Sequence, residues 1–346
     1  MTFMRTRSLT LAAMALFGPA LLFAVRPPSS AGATRIIVRE GARKLVAIPP
    51  SGGRLETLFQ LRNGALLSAA ASSSGKDVAF ASRSWDKSTG VAVWTDRIWI
   101  GHGNRQPRVI RSFVSSGRAR AYKPIDSIAL SPDGRRVLIA KRHRTVFVMR
   151  ADGSGLHQIV VPGYTFGVGG GRNSSGPEFT PDGQRIISTF YPPGYQEDAM
   201  GGIGTTSING GRVHFLRRGP FSGGAGTFFA PTISRDGSLI AFVALVRSEE
   251  SRSRLQLMVM NRNGTDARVL RDSRIPGWSI DNPCFSPPGK ALTFVGKKTT
   301  AGGVVIGVSP SAVFTIRLDG THRRTVQHEK AHLVSRNPVW TYPRFK

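Results

Sequence analysis

Along the segment 126–161, apolar residues come in short runs separated by turn chemistry, the pattern of short strands and not of amphipathic helices. Strands are predicted over 127–130, 136–141, 145–150 and 156–161. Ser131-Pro132-Asp133-Gly134 separates the first two, and Ala151-Asp152-Gly153-Ser154 the last two. Proline in second position presets φ, and Asp and Gly accommodate a tight reversal. The segment therefore reads as one antiparallel unit of four strands.

The unit repeats. Its first turn recurs as Thr180-Pro181-Asp182-Gly183, Ser234-Arg235-Asp236-Gly237, Ser286-Pro287-Pro288-Gly289 and, in a degraded form, Ser72-Ser73-Ser74-Gly75. Its second turn recurs at Asn209-Gly210-Gly211, Asn263-Gly264 and Leu318-Asp319-Gly320. The first-turn glycines are spaced on average about 53 residues apart, the mark of a repeat architecture. Six such units fit the 313 residues that follow Ala33. The fold expected is all-β: a six-bladed β-propeller of four-stranded antiparallel blades. Five blades are expected at about 65–115, 125–162, 175–218, 229–272 and 281–327. The sixth is expected to be shared by the chain ends, 336–346 with 34–62, which closes the ring and protects the sheet edges.

These turns, with Val137-Leu138-Ile139-Ala140 and Val146-Phe147-Val148-Met149 between them, resemble the WD-like propeller repeat of TolB and related bacterial exported proteins. The resemblance spans essentially residues 34–346 and is strongest in the second, fourth and fifth blades. It implies a six-bladed TolB-like propeller and no particular ligand, because such propellers serve many functions.

Composition fits this picture. The 40 Gly and 22 Pro supply turns, the 40% hydrophobic fraction supplies a core, and a 20% charged fraction argues against disorder of the whole chain. Cys284 is the one cysteine, so neither an intramolecular disulfide framework nor a multi-cysteine metal site can form. At the N-terminus, Arg5 and Arg7 precede an apolar stretch over 9–25 and the small residues Ala31, Gly32 and Ala33. This layout predicts a signal peptide over 1–33, cleaved after Ala33, and an extracytoplasmic protein: periplasmic, wall-associated or secreted. The same stretch retained as an uncleaved anchor is the alternative, and the one route to membrane contact.

The charge is unusual: 48 Lys and Arg against 20 Asp and Glu give +28, which becomes +25 once Arg5, Arg7 and Arg26 are removed with the leader. Clusters at Arg118, Arg120 and Lys123, at Lys141, Arg142, His143 and Arg144, at Arg217 and Arg218, at Lys297 and Lys298, and at Arg323 and Arg324 would attract an anionic polymer of the envelope if they converged in space. A general preference for arginine would give the same total. No nucleic-acid partner is expected, since no stacking-plus-basic motif appears.

In a four-stranded antiparallel blade, the tight first and third connections share one face, and the long connections share the other. The long loops carry Trp85, Tyr164, Phe166, Tyr191, Tyr195, Phe221, Phe228 and Trp278, with Trp94 at a boundary. Tyr164, Phe166, Tyr191, Tyr195, Phe228 and Trp278 are taken as candidate partner-binding residues, because aromatic rings bury large area at low rotamer cost. The alternative is that these rings fill the gaps between blades. The glycine clusters 167–171 and 223–226 lack both the dinucleotide pattern and the Lys-Ser or Lys-Thr of a phosphate loop.

His328-Glu329-Lys330-Ala331-His332 has the form of a zinc-peptidase motif, making His328 and His332 the candidate metal ligands. That chemistry requires a helix, whereas this segment leads into the closing blade. No G-x-S-x-G elbow occurs. No catalytic residue and no cofactor are therefore assigned. The leading expectation is an exported, non-enzymatic, monomeric scaffold that binds a protein or peptide partner in the envelope. Binding of an envelope polyanion is the second reading, and a metal-dependent enzyme the third.

Overall fold

The structure, a computed structural model, describes residues 35–40, 42–86, 88, 91–102, 105–116, 124–141, 144–167, 176–194, 200–220, 227–247, 253–270, 277–298, 311–328 and 339–341. All regular elements among them are β-strands, gathered into six antiparallel sheets arranged as the blades of a propeller.

From the innermost strand outward, blade one runs Ala65–Ala71, Asp77–Asp86, Val93–His102 and Arg108–Ser116. Blade two runs Ile125–Leu130, Arg136–Lys141, Thr145–Arg150 and His157–Gln158. In blade three the strands Arg185–Tyr191, Met200–Ser207 and Gly210–Pro220 are preceded by an innermost strand in two pieces. Thr165–Phe166 pairs with Tyr191 and Phe190, and Glu178–Phe179 pairs with Ile187 and Ile186. Blade four runs Phe228–Ile233, Leu239–Arg247, Ser253–Asn261 and Arg268–Val269, and blade five Trp278–Phe285, Ala291–Lys298, Ser311–Arg317 and Arg324–His328.

Both chain ends build the closing blade. Val339–Thr341 lies innermost, antiparallel to Arg35–Glu40 with Arg35 opposite Thr341, followed outward by Lys44–Ile48 and Glu56–Gln60.

The first turns are fixed by one device. Ser131, Thr180 and Ser234 each donate their hydroxyl to the Asp two residues on at 2.6 Å. The same hydroxyl oxygens accept the N–H that opens the next strand, from Arg136 at 2.8 Å, Arg185 at 3.1 Å and Leu239 at 2.9 Å. Ser72 and Ser286 accept the corresponding N–H of Asp77 and Ala291 even though their turns lack the Asp. The hydroxyl is thus the common element of the turn.

Apolar packing lies between the blades. Six buried clusters occupy the six junctions, as with Phe59, Phe80 and Trp99 between the closing blade and blade one, or Ile187, Ile203 and Phe242 between blades three and four. Hydrogen bonds join blades one and two: Asp96 Oδ2 accepts the Ile125 N–H at 2.9 Å, and Ser68 Oγ accepts the Ile128 N–H at 3.2 Å. The junctions leave the innermost strands to wall a central channel.

Candidate binding surfaces at the channel and the loop rim

Counting back five residues from each first-turn glycine gives Ala70, Ala129, Glu178, Thr232 and Cys284. All five line one cavity of about 180 Å³ at the turn end of the channel, which extends to the first turns at Ser73, Pro132, Pro181, Arg235 and Ser286. The pairing of the innermost with the second strand slips at a bulge in blades one, two, four and five, a device that re-aims side chains. In blades four and five the bulge contains Ala230-Pro231 and Asn282-Pro283, with Ala230 at φ 53° and Asn282 at φ 49°.

Glu178 stands on this wall, an acid in a chain dominated by cations. It accepts a hydrogen bond from Thr232 Oγ1 at 2.8 Å and another from the Ile233 N–H. Part of its surface faces the channel, yet protein surrounds it, and this burial pushes its carboxyl up to about 7 against the two hydrogen bonds, which favour the charged form. Asn282 is 4% exposed, lines the same cavity, and its Oδ1 has no hydrogen-bond partner. The partly exposed Cys284 thiol adds a nucleophile to the wall. Arg235 is exposed at the mouth. The cavity therefore carries a hydrogen-bonded carboxyl without a counter-charge, beside an amide oxygen without a donor.

The six candidate aromatics do not form one surface. Phe166, Tyr191 and Phe228 are buried, and belong to the inter-blade core instead of an exposed rim. Phe166 packs against Phe190 at 5.1 Å, and Phe228 meets Phe242 edge-on at 5.4 Å. The Tyr191 hydroxyl donates to the Phe228 carbonyl at 2.8 Å, joining blades three and four, and burial pushes its pKa up to about 12. The physical reason is the wedge-shaped gap between splayed blades, which large rings fill. Tyr164 and Trp278 are half-buried, edge-on to Phe215 at 5.0 Å and to Phe314 at 5.8 Å. Tyr195 and Phe221 lie outside the described residues.

An exposed aromatic does occur on the long-loop side, in blade one. Trp85 is 55% exposed and sits 5.8 Å from Trp94, its cross-strand neighbour at the end of two ten-residue strands.

The basic clusters split between the two faces. Lys141 lies over the Phe113 ring at 3.7 Å, Arg218 over Phe215 at 4.1 Å, and Lys297 pairs with Asp281 at 2.8 Å, all toward the long-loop side. Arg323 and Arg324 belong to the turn side, where Arg135, Arg136 and Arg150 surround a surface depression that also holds Asp133 and Asp152. Arg118, Arg120, Lys123, Arg142 and His143 lie outside the described residues. His328 ends the outer strand of blade five, and Glu329 to His332 lie outside the described residues. Among the described residues, no group of three or more His, Cys, Asp or Glu could hold a metal ion. No helix among them is long and apolar enough to cross a membrane.

Sequence reasoning missed Glu178 because it looked for adjacent acids. The signal was present, since the register from the turn glycine places a carboxyl where the other blades carry Ala, Thr or Cys.

No protein-family model matches the chain, and no curated protein matches it. Solved structures do. TolB from Acinetobacter baumannii aligns with TM-score 0.59 and 18% identity over 90% of this chain, which spans 66% of the length of that protein. A putative TolB from Agrobacterium tumefaciens aligns with TM-score 0.53 and 14% identity, over 88% of this chain and 91% of its own. An oligogalacturonate lyase from Vibrio parahaemolyticus is more distant, at TM-score 0.47 and 11% identity over 87% and 75% of the two chains. The fold is thus that of a TolB-like propeller.

Proposed function

We propose that this chain is an extracytoplasmic, non-enzymatic propeller that binds a protein or peptide partner of the cell envelope through the turn-side mouth of its central channel. The observation that carries this reading is the channel wall, where strands from five blades converge on one concave site that holds a carboxyl with no counter-charge. Binding sites on ring-shaped repeat folds gather where several units meet, because each unit contributes one side chain and the scaffold holds them rigidly. Export rests on Arg5, Arg7, the apolar stretch 9–25 and Ala31 to Ala33.

Conjugating Cys284 with a bulky maleimide, which caps the channel from inside, tests this. Capture of a partner from the native envelope extract is expected to be lost on capping and to survive Trp85→Ala. Undiminished capture by the capped, folded protein would sink the channel assignment, and loss in Trp85→Ala alone would move the site to the long-loop side.

The depression at Arg135, Arg136 and Arg150 favours a second reading, binding of an envelope polyanion at the turn face. On this reading, binding to immobilised polyphosphate drops about tenfold or more between low and physiological salt. Changing the three arginines to serine then abolishes it.

A further inference from the structure

The channel wall combines two features that each cost free energy unless something else completes them. Among the described residues the Glu178 carboxyl is the one acid on the wall, and no cation pairs with it. Its partners there, the Thr232 hydroxyl and the Ile233 N–H, are neutral. Asn282, held by the bulge at φ 49° and 4% exposed, leaves Oδ1 unpaired. A buried amide oxygen without a donor is disfavoured. The Glu178 carboxyl, which already accepts two hydrogen bonds, lacks a counter-charge, and the Asn282 amide oxygen lacks a donor. The remaining ionisable groups among the described residues of the wall are the Cys284 thiol and, at the exposed mouth, Arg235.

We infer that the cavity receives a primary ammonium group of the partner, a lysine side chain or a chain N-terminus, with the Glu178 carboxylate as counter-charge. An ammonium group supplies N–H donors and a compact charge, which matches a carboxylate on a narrow wall. A cavity of about 180 Å³ takes an aminoalkyl stem and leaves the rest of the partner at the mouth. The inference rests on the channel being the partner-binding site. It adds the chemistry that the site selects.

Cys284, as the chain's one cysteine, gives a direct readout of occupancy. Its alkylation by iodoacetamide is followed at about pH 8, where thiolate is available. Three probes are compared: the end-blocked peptide Gly-Gly-Lys-Gly-Gly, the same peptide acetylated on the lysine Nζ, and amidated pentaglycine with a free N-terminus. Each rate is referred to the same protein without probe. Lysine peptide at twice its Kd is expected to slow alkylation about threefold, while the acetylated peptide leaves it unchanged. Protection by the pentaglycine instead would assign the N-terminal source. Glu178→Gln, whose folding is checked by its melting curve, is expected to lose the protection. Equal protection by amine and acetylated peptide, protection by none of the three, or protection retained in Glu178→Gln overturns the inference. If that happens while capping Cys284 still blocks partner capture, the channel reading stands and the ammonium assignment alone falls.

Discussion

Glu178 shows how one residue couples the channel to pH. Its carboxyl titrates near 7 in the folded protein against an ordinary value of 4.5, because burial opposes the charge. Between those values the folded state binds the proton that the unfolded chain has already released. The contribution to stability is therefore full below about pH 4.5 and is lost as the pH rises through about 7. The partial exposure of Glu178 reduces the full effect, leaving on the order of 2–3 kcal/mol. Urea unfolding at several pH values should show this slope, and Glu178→Gln should flatten it. Turn aspartates act in the opposite sense. The Thr180 and Ser234 hydroxyls, with backbone N–H groups, hold Asp182 and Asp236 below the usual carboxylate range, so what they contribute is present at neutral pH and lost in acid.

At the scale of the element, the second turn of a blade acts as a spacer between blades. A Cβ on Gly264, at φ 87°, would lie 2.0 Å from the carbonyl oxygen of Leu216 in the outer strand of blade three. Gly153, at φ 91°, stands in the same relation to Ile110 of blade one. Gly289, in a first turn at φ 69°, has nothing within 4 Å of its would-be Cβ. Thermal melts should separate the two cases. Gly289→Ala should cost about 1 kcal/mol for the left-handed backbone alone. Gly264→Ala should cost roughly 1–3 kcal/mol more, because the neighbouring blade's backbone must move.

These turns were legible in the sequence because their physics is local: a hydroxyl, an Asp and a Gly within four residues state the reversal. The location of the aromatics was not. Phe166 lies in a segment that reads as a glycine-rich loop, yet it becomes half of a divided innermost strand that pairs with Phe190, twenty-four residues away. Tyr191 sits at a strand end, where its burial depends on how blade four leans against blade three. Tertiary packing settles such positions, and strand periodicity carries no record of it.

For the molecule as a whole, the decisive feature is the closing blade. Val339–Thr341 is its innermost strand, and through it the last-made part of the ring holds the first. The apolar layers on either side, with Ile37, Leu45 and Phe59 toward blade one and Ile36, Val46 and Ile48 toward blade five, are assembled only when this blade is seated. Ending the chain at residue 338 should therefore lower the melting temperature and expose residues 35–60 to protease. Retention of wild-type melting by the shortened protein would show that the strand is dispensable.

This arrangement also sets an order of events in time. Arg35–Glu40 leaves the ribosome early, but the strand that covers its inner edge is made roughly three hundred residues later. At about 5–20 residues per second, that edge waits on the order of 15–60 seconds for its neighbour. During that interval the chain carries an unpaired strand, an invitation to chaperones and a hazard if synthesis stalls. Completion of the ring thus waits for the strand made last within it.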